Sequence, residues 1–204
     1  MTHNALYGRE VPISGRDKQR IRKRVLEERG MLLDEQRHEM SEEIMNKLKG
    51  LPEYEAARTI CCYLSTGTEV ETLGFVEKVL ADGSKKIVVP FMDEGRIQLS
   101  VLERMSDLKE GAYKILEPIE RRRELVAVEN VDMFIVPGIA FSRDGTRIGR
   151  GYGHYDMLLK DVVAPRIAFA YDNQIVGRLP KESHDVLMTK IVTNLEVITC
   201  GKNP

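Results

Sequence analysis

"VDMFIVPGIAFSRDGTRIGRGYGHYDMLLKDV", residues 131–162, decides the fold. Its first seven residues are nearly all apolar and do not alternate, the pattern of a strand covered on both faces. Its last ten, "GHYDMLLKDV", read as a short helix. A strand that leads through a polar connection into a helix is the repeating unit of an α/β protein, and the same alternation extends to either side. Upstream, "RTICCYL" (58–64) is a strand, "VETLGFVEKVLADG" (70–83) a helix and "KKIVVP" (85–90) a strand. "RIQLSVL" (96–102) alternates apolar and polar like a half-buried strand, while "RIAFAYD" (166–172) and "KIVTN" (190–194) resemble the first strand. Two helices come earlier. "RDKQRIRKRVLEERGMLL" (16–33) places Ile21, Val25 and Leu26 on one side, and a second helix begins near Asp34 and is stopped by Gly50 and Pro52. The expected class is α/β, built around a largely parallel sheet. Residues 1–15 read as a loose N-terminal arm and 16–204 as a single domain.

Bulk properties narrow the function. The 204 residues are 42% hydrophobic, enough for one sizeable core, and 31 basic residues balance 32 acidic ones. That balance argues against nucleic acid or an anionic membrane as partner. Apolar runs such as "MFIVPGIAF" are too short to span a bilayer, and the first residues lack the apolar stretch of a secretory signal. Cys61, Cys62 and Cys200 form no C-x-x-C pair, so they read as free cysteines of a reducing, cytoplasmic compartment, Cys61 and Cys62 pointing to opposite faces of a strand.

The centre of the opening stretch, "GTRIGRGYGHYD" (145–156), carries the chemistry. It holds four glycines and two arginines in twelve positions, at the place where α/β proteins bind ligands, beyond a strand's carboxyl end. Alternating Gly149, Gly151 and Gly153 let successive amides turn toward an anion. The following helix adds unpaired N–H groups. Arg147 and Arg150 supply forked donors matched to phosphate oxygens, and Asp156 is a hard ligand suited to Mg²⁺. No Gly-Lys-Ser/Thr follows, so this is not a Walker loop. It reads as a phosphate-binding loop, the plainer alternative being a glycine-rich hairpin tip with solvated arginines.

"VPGIAFSRDGTRIGRGYGHYDMLL" resembles the signature of the 5-formyltetrahydrofolate cyclo-ligase family. "KQRIR" is similar to that family's N-terminal Lys-x-x-Leu-Arg, at Lys18 and Arg22. "YLSTGTEVET" is similar to the segment that carries its substrate-binding acid, at Glu69 with Leu64 beside it, and "HDVLMTKIVTN" to its C-terminal strand region. The resemblance implies a three-layer α/β/α sandwich and a monomeric enzyme that uses MgATP to cyclise a small molecule, 5-formyltetrahydrofolate, to 5,10-methenyltetrahydrofolate. It implies nucleotide contacts from Lys18, Arg22, Arg147, Ile148, Gly149, Arg150, Gly151, Tyr152, Gly153, His154 and Tyr155. Leu64, Glu69, Arg150 and His154 would meet the reduced formylfolate, Arg150 and Tyr155 would be catalytic, and Asp156 would hold Mg²⁺. The chain departs from the pattern at His154, where the family has tyrosine, at Tyr152, and at Thr189 and Asn194, where it often has acids; Asp185 is a nearby substitute. These departures leave open a diverged relative that keeps the phosphate loop and acts on another substrate or as a nucleotide-binding regulator.

His184 and Asp185 adjoin each other and read as a structural turn. The six basic residues in "RDKQRIRKR" read as a solvated helix face whose charges pair locally.

Overall fold

The computed structural model describes residues 15–111 and 115–201, so the expected N-terminal arm lies outside the described residues except for Gly15. Helices α1 (Gly15–Gly30), α2 (Asp34–Lys49) and α3 (Pro52–Ala56) lead into β1 (Thr59–Cys62). There follow α4 (Leu73–Asp82), β2 (Lys86–Asp93), β3 (Arg96–Leu102), β4 (Leu108–Glu110), β5 (Leu116–Pro118) and β6 (Met133–Val136). The chain continues through β7 (Ala140–Ser142), β8 (Arg147–Ile148), α5 (His154–Leu159), β9 (Arg166–Ala170), β10 (Ile175–Val176), β11 (Lys190–Thr193) and β12 (Val197–Thr199).

Seven strands form the central sheet in the order β12-β11-β9-β6-β1-β2-β3. The interior pairings are parallel, and β3 and β12 close the two edges antiparallel. Both faces are covered, which is why β6 is apolar without alternation: all four of its residues are buried. On one face Ile44 and Leu48 of α2 and Phe75, Val76 and Val79 of α4 pack on Ile60, Cys62, Ile87 and Phe169. On the other, Leu159 of α5 and Phe141 pack with Cys61, Val88, Phe134 and Ala168. Cys61 and Cys62 therefore do face opposite layers. Acidic residues in the first turn of α2 and lysines in its last favour the helix dipole.

The second layer holds the main surprise. Residues 138–148 do not form a plain strand-to-helix connection. A β7–β8 hairpin pairs with β10 in a separate three-stranded sheet, and α1 lies against it through Val25, Ile139, Ala140, Ile148 and Leu179. Strands of two and three residues are too short to show a period in sequence. This small sheet matters for function, because it brings α1 beside the glycine loop. Leu26 departs from the expected apolar side and is exposed. Helix α1 ends at Gly30, before "MLL", and the Gln36 side chain accepts the Leu33 N–H at 2.9 Å to start α2.

Candidate active site

A cavity of about 460 Å³ opens beyond the carboxyl ends of β1, β2 and β6. Its polar side is built by α1, the 149–156 loop, the 64–69 turn and residues 182–185. Its apolar side comes from Pro90, Phe91 and Met92 of β2, Ile97 of β3, and Ile115 and Leu116. A flat, partly apolar ligand with a charged end matches that division.

Lys18 and Arg22 sit one turn apart on α1 and both reach the cavity. Lys18 Nζ donates to Glu182 Oε2 at 2.8 Å and to Asp185 Oδ2 at 3.1 Å. Partial burial opposes its charge, but the two carboxylates outweigh that and raise its pKa above the ordinary lysine value. Arg22 Nε donates to the Gly149 carbonyl at 2.9 Å, tying α1 to the start of the glycine loop. Beyond it the backbone turns through φ +105° at Gly151 and +70° at Gly153, a conformation that side chains with a Cβ rarely adopt. Gly153 then caps α5, accepting the Met157 N–H at 3.0 Å.

The two loop arginines have different surroundings. Arg147, on β8, is buried beneath the loop, where Nη2 donates to Asp156 Oδ1 at 3.0 Å. The same oxygen accepts the Val186 N–H at 3.2 Å, and Asp156 Oδ2 carries no hydrogen bond among the described residues. The Arg147 guanidinium lies 5.7 Å from the Tyr155 ring centroid, and its buried Nε–H has no acceptor among the described residues. Arg150 is half-exposed, and its Nη2 donates to Glu69 Oε1 at 2.9 Å and Thr66 Oγ1 at 3.0 Å. Glu69 is held from its other side, Oε2 accepting the Thr66 N–H at 3.0 Å. Its carbonyl accepts the Tyr171 hydroxyl at 3.3 Å.

The remaining expected residues divide by what they present. Leu64 is buried at the cavity wall just after β1. Ile148 also borders the cavity, but its side chain is spent in the packing of α1 on the small sheet. Tyr152 and His154 stack on each other, with centroids 5.5 Å apart and planes 14° from parallel, and Tyr152 is largely exposed. Burial pushes the Tyr155 phenol well above its ordinary pKa, so it is a neutral hydroxyl across the physiological range.

The cations expected to be free for phosphate are thus all engaged: Lys18 by Glu182 and Asp185, Arg147 by Asp156, Arg150 by Glu69, and Arg22 by a carbonyl. Thr189 and Asn194 do not line the cavity. Thr189 bonds the Arg166 backbone where β9 and β11 begin, and Asn194 Oδ1 accepts the Asp172 N–H. Residues 182–185 form the expected turn, the Asp185 N–H donating to the Glu182 carbonyl at 3.1 Å. Ligand atoms of Glu182, His184 and Asp185 lie within 4.8 Å of one another. Sequence reading missed Thr66, Glu182 and the apolar wall. Thr66 had a signal, since Thr-x-x-Glu spacing lets a carboxylate return to the threonine's N–H. The others are contributed by segments far apart in the chain.

A parallel α/β sandwich with a charged pocket at the carboxyl ends of its strands defines a small-molecule-binding α/β protein. More specifically, the model of the 5-formyltetrahydrofolate cyclo-ligase family matches residues 14–194, and the chain belongs to that family. It is 31% identical over 189 residues to the mitochondrial 5-formyltetrahydrofolate cyclo-ligase of Arabidopsis thaliana, covering 79% of this chain and 68% of that protein. It is 27% identical over 179 residues to the Escherichia coli K12 5-formyltetrahydrofolate cyclo-ligase, covering 85% and 98%. Among solved structures, the 5,10-methenyltetrahydrofolate synthetase of Aquifex aeolicus superposes with a TM-score of 0.82 at 34% identity, covering 92% and 94%. Among the described residues no helix is long and apolar enough to cross a membrane.

Proposed function

We propose that this chain cyclises 5-formyltetrahydrofolate to 5,10-methenyltetrahydrofolate with ATP and Mg²⁺, releasing ADP and phosphate. The observation that carries the reading is the Arg150–Glu69 contact of 2.9 Å, which joins the glycine loop to the acid of the 64–69 turn in one cavity. A module that only bound phosphate would have no use for that acid.

The chemistry divides between the two sides of the cavity. The formyl oxygen attacks the γ-phosphorus and the bond to ADP breaks. N10 of the folate then attacks the formyl carbon and gives up its proton, and the carbon–oxygen bond breaks as phosphate leaves. No protein nucleophile is required, so the residues act by holding partners in line and neutralising charge. Lys18, Arg22, Arg147 and Arg150, with the backbone of Ile148–Gly153, are the groups we assign to the triphosphate. The buried Arg147 Nε–H, which lacks an acceptor among the described residues, is an unspent donor of the kind such a ligand uses. Glu69, fixed by Thr66, orients the polar edge of the folate or its formyl amide, and Leu64 packs beside it. Tyr155 contributes a neutral hydroxyl, and the Tyr152–His154 pair an aromatic surface.

Asp156 fits a divalent cation through Oδ2, its other oxygen being held by Arg147 and Val186. Magnesium bound there would neutralise phosphate charge, chemistry that suits an oxygen ligand. The test is to incubate pure protein with 5-formyltetrahydrofolate and MgATP and follow methenyltetrahydrofolate absorbance. The reading requires product that depends on both substrates, and absence of product from folded protein would refute it.

A further inference from the structure

Among the described residues Arg29 is the one arginine of α1 that is almost wholly buried, at 5% exposure, and none of the contacts above uses it. It stands seven residues after Arg22, two helical turns along nearly the same face. Its Nε donates to Thr68 Oγ1 at 2.9 Å, so it grips the 66–69 turn at the residue next to Glu69. Burying a guanidinium is costly unless a negative charge repays it. Among the described residues Arg29 makes no direct salt bridge, and burial lowers its pKa, with the Glu69 carboxylate the largest charge acting to restore it. The cation therefore sits behind the turn, within the electrostatic reach of the acid that faces the cavity.

Glu69 has a second cation in front, and the contrast between the two is informative. Arg150 is half-exposed on the glycine loop, whereas the Glu69 side chain is only 12% exposed. Under the proposed function Arg150 also serves the phosphoryl group, and each step it takes toward phosphate weakens its hold on Glu69. A carboxylate so little exposed needs a compensating charge that does not travel. Arg29 is fixed by its burial and by Thr68.

We propose that Arg29 is a positioning residue for the folate-binding acid: through Thr68 it anchors the 66–69 turn and holds Glu69 at the cavity when Arg150 turns to the nucleotide. It acts through Glu69 and touches neither substrate.

This rests on the proposed function, and the test separates the two. Arg29→Met, Arg29→Lys and Thr68→Val are compared with wild type for kcat and KM toward 5-formyltetrahydrofolate, and for ATP affinity measured without folate. Arg29→Met is expected to raise the folate KM about tenfold or more, a loss of ~1.4 kcal/mol. ATP affinity should stay within about twofold, since the turn lies on the folate side of the cavity. Arg29→Lys, which keeps the charge, should recover most of the loss, and Thr68→Val should fall between. If Arg29→Met does not fold, Thr68→Val decides, because it removes only the hydroxyl. Variants at wild-type KM, a KM rise matched by an equal loss of ATP affinity, or no recovery with lysine would overturn the role of Arg29 and leave the function standing. A folded wild type that forms no methenyltetrahydrofolate would overturn both.

Discussion

Asp156→Asn separates the structural role of this side chain from the metal-binding role proposed for it. Asp156 Oδ1 receives both the Arg147 guanidinium at 3.0 Å and the Val186 N–H at 3.2 Å, linking the glycine loop to the 182–186 turn. The side chains of Arg147 and Asp156 are 5% and 19% exposed, so the amide would leave a guanidinium buried without its counter-charge. Breaking a buried pair costs about 3–5 kcal/mol. The amide oxygen still accepts one donor and Asp156 retains some solvent, so we expect about 2–3 kcal/mol, at or under the low end of that range. For a chain of this size each kcal/mol shifts Tm by ~2–4 °C, which gives a fall of roughly 5–10 °C by circular dichroism. Arg147→Met combined with Asp156→Asn should lose less than the sum of the single changes, because no charge is then left unpaired. Titrating Mg²⁺ against activity reads the other role, and the variant should need more metal because the anionic ligand is gone. An unchanged Tm with a raised Mg²⁺ requirement would refute the buried-pair reasoning and leave Asp156 a metal ligand alone.

Three further outcomes follow from the same geometry. Arg150→Ala should cut turnover roughly a hundredfold or more with little change in Tm, because the side chain is half-exposed and is the one we propose to serve the phosphoryl group; an unchanged rate would show the loop assignment to be wrong. His154→Tyr should keep the stack with Tyr152 and lower the KM for formylfolate by offering a larger ring, while an unchanged or raised KM would remove His154 from substrate contact. Burial raises the pKa of Cys61 to about 12 and moves Cys62, Tyr63 and Tyr155 upward as well. These groups stay protonated in the fold after the unfolded chain begins to lose protons, at about pH 8.5 for cysteine and 10 for tyrosine. Their stabilising contribution is therefore complete below about pH 8.5 and declines as pH rises through the folded values, so Tm should drop steadily from pH 9 to 11, and a flat profile would contradict it.

Much of this was legible in the chain, for physical reasons that differ by element. The interior strands announced themselves because two covered faces demand unbroken apolar residues, as in Met133–Val136. The glycine loop was legible because few backbones other than glycine allow its turns. What the sequence concealed depends on tertiary placement. Arg147 and Arg150 are identical residues three positions apart, yet one is buried against Asp156 and the other half-exposed against Glu69. Nothing local distinguishes them; the β8 strand turns one inward and the loop carries the other out. The β7–β8 hairpin that does this is too short to show a period. Likewise Glu182 reaches Lys18 from 164 positions away, a contact that no spacing rule reveals.

The most direct test of the chemistry follows the formyl oxygen. If the cyclisation proceeds by phosphorylation of that oxygen, substrate labelled there with ¹⁸O must deliver the label to the released phosphate. We expect one labelled oxygen in phosphate for each methenyltetrahydrofolate formed, in equal amount with ADP. Label recovered in water, with unlabelled phosphate, would mean that ATP is hydrolysed separately and that the formyl group is activated in some other way.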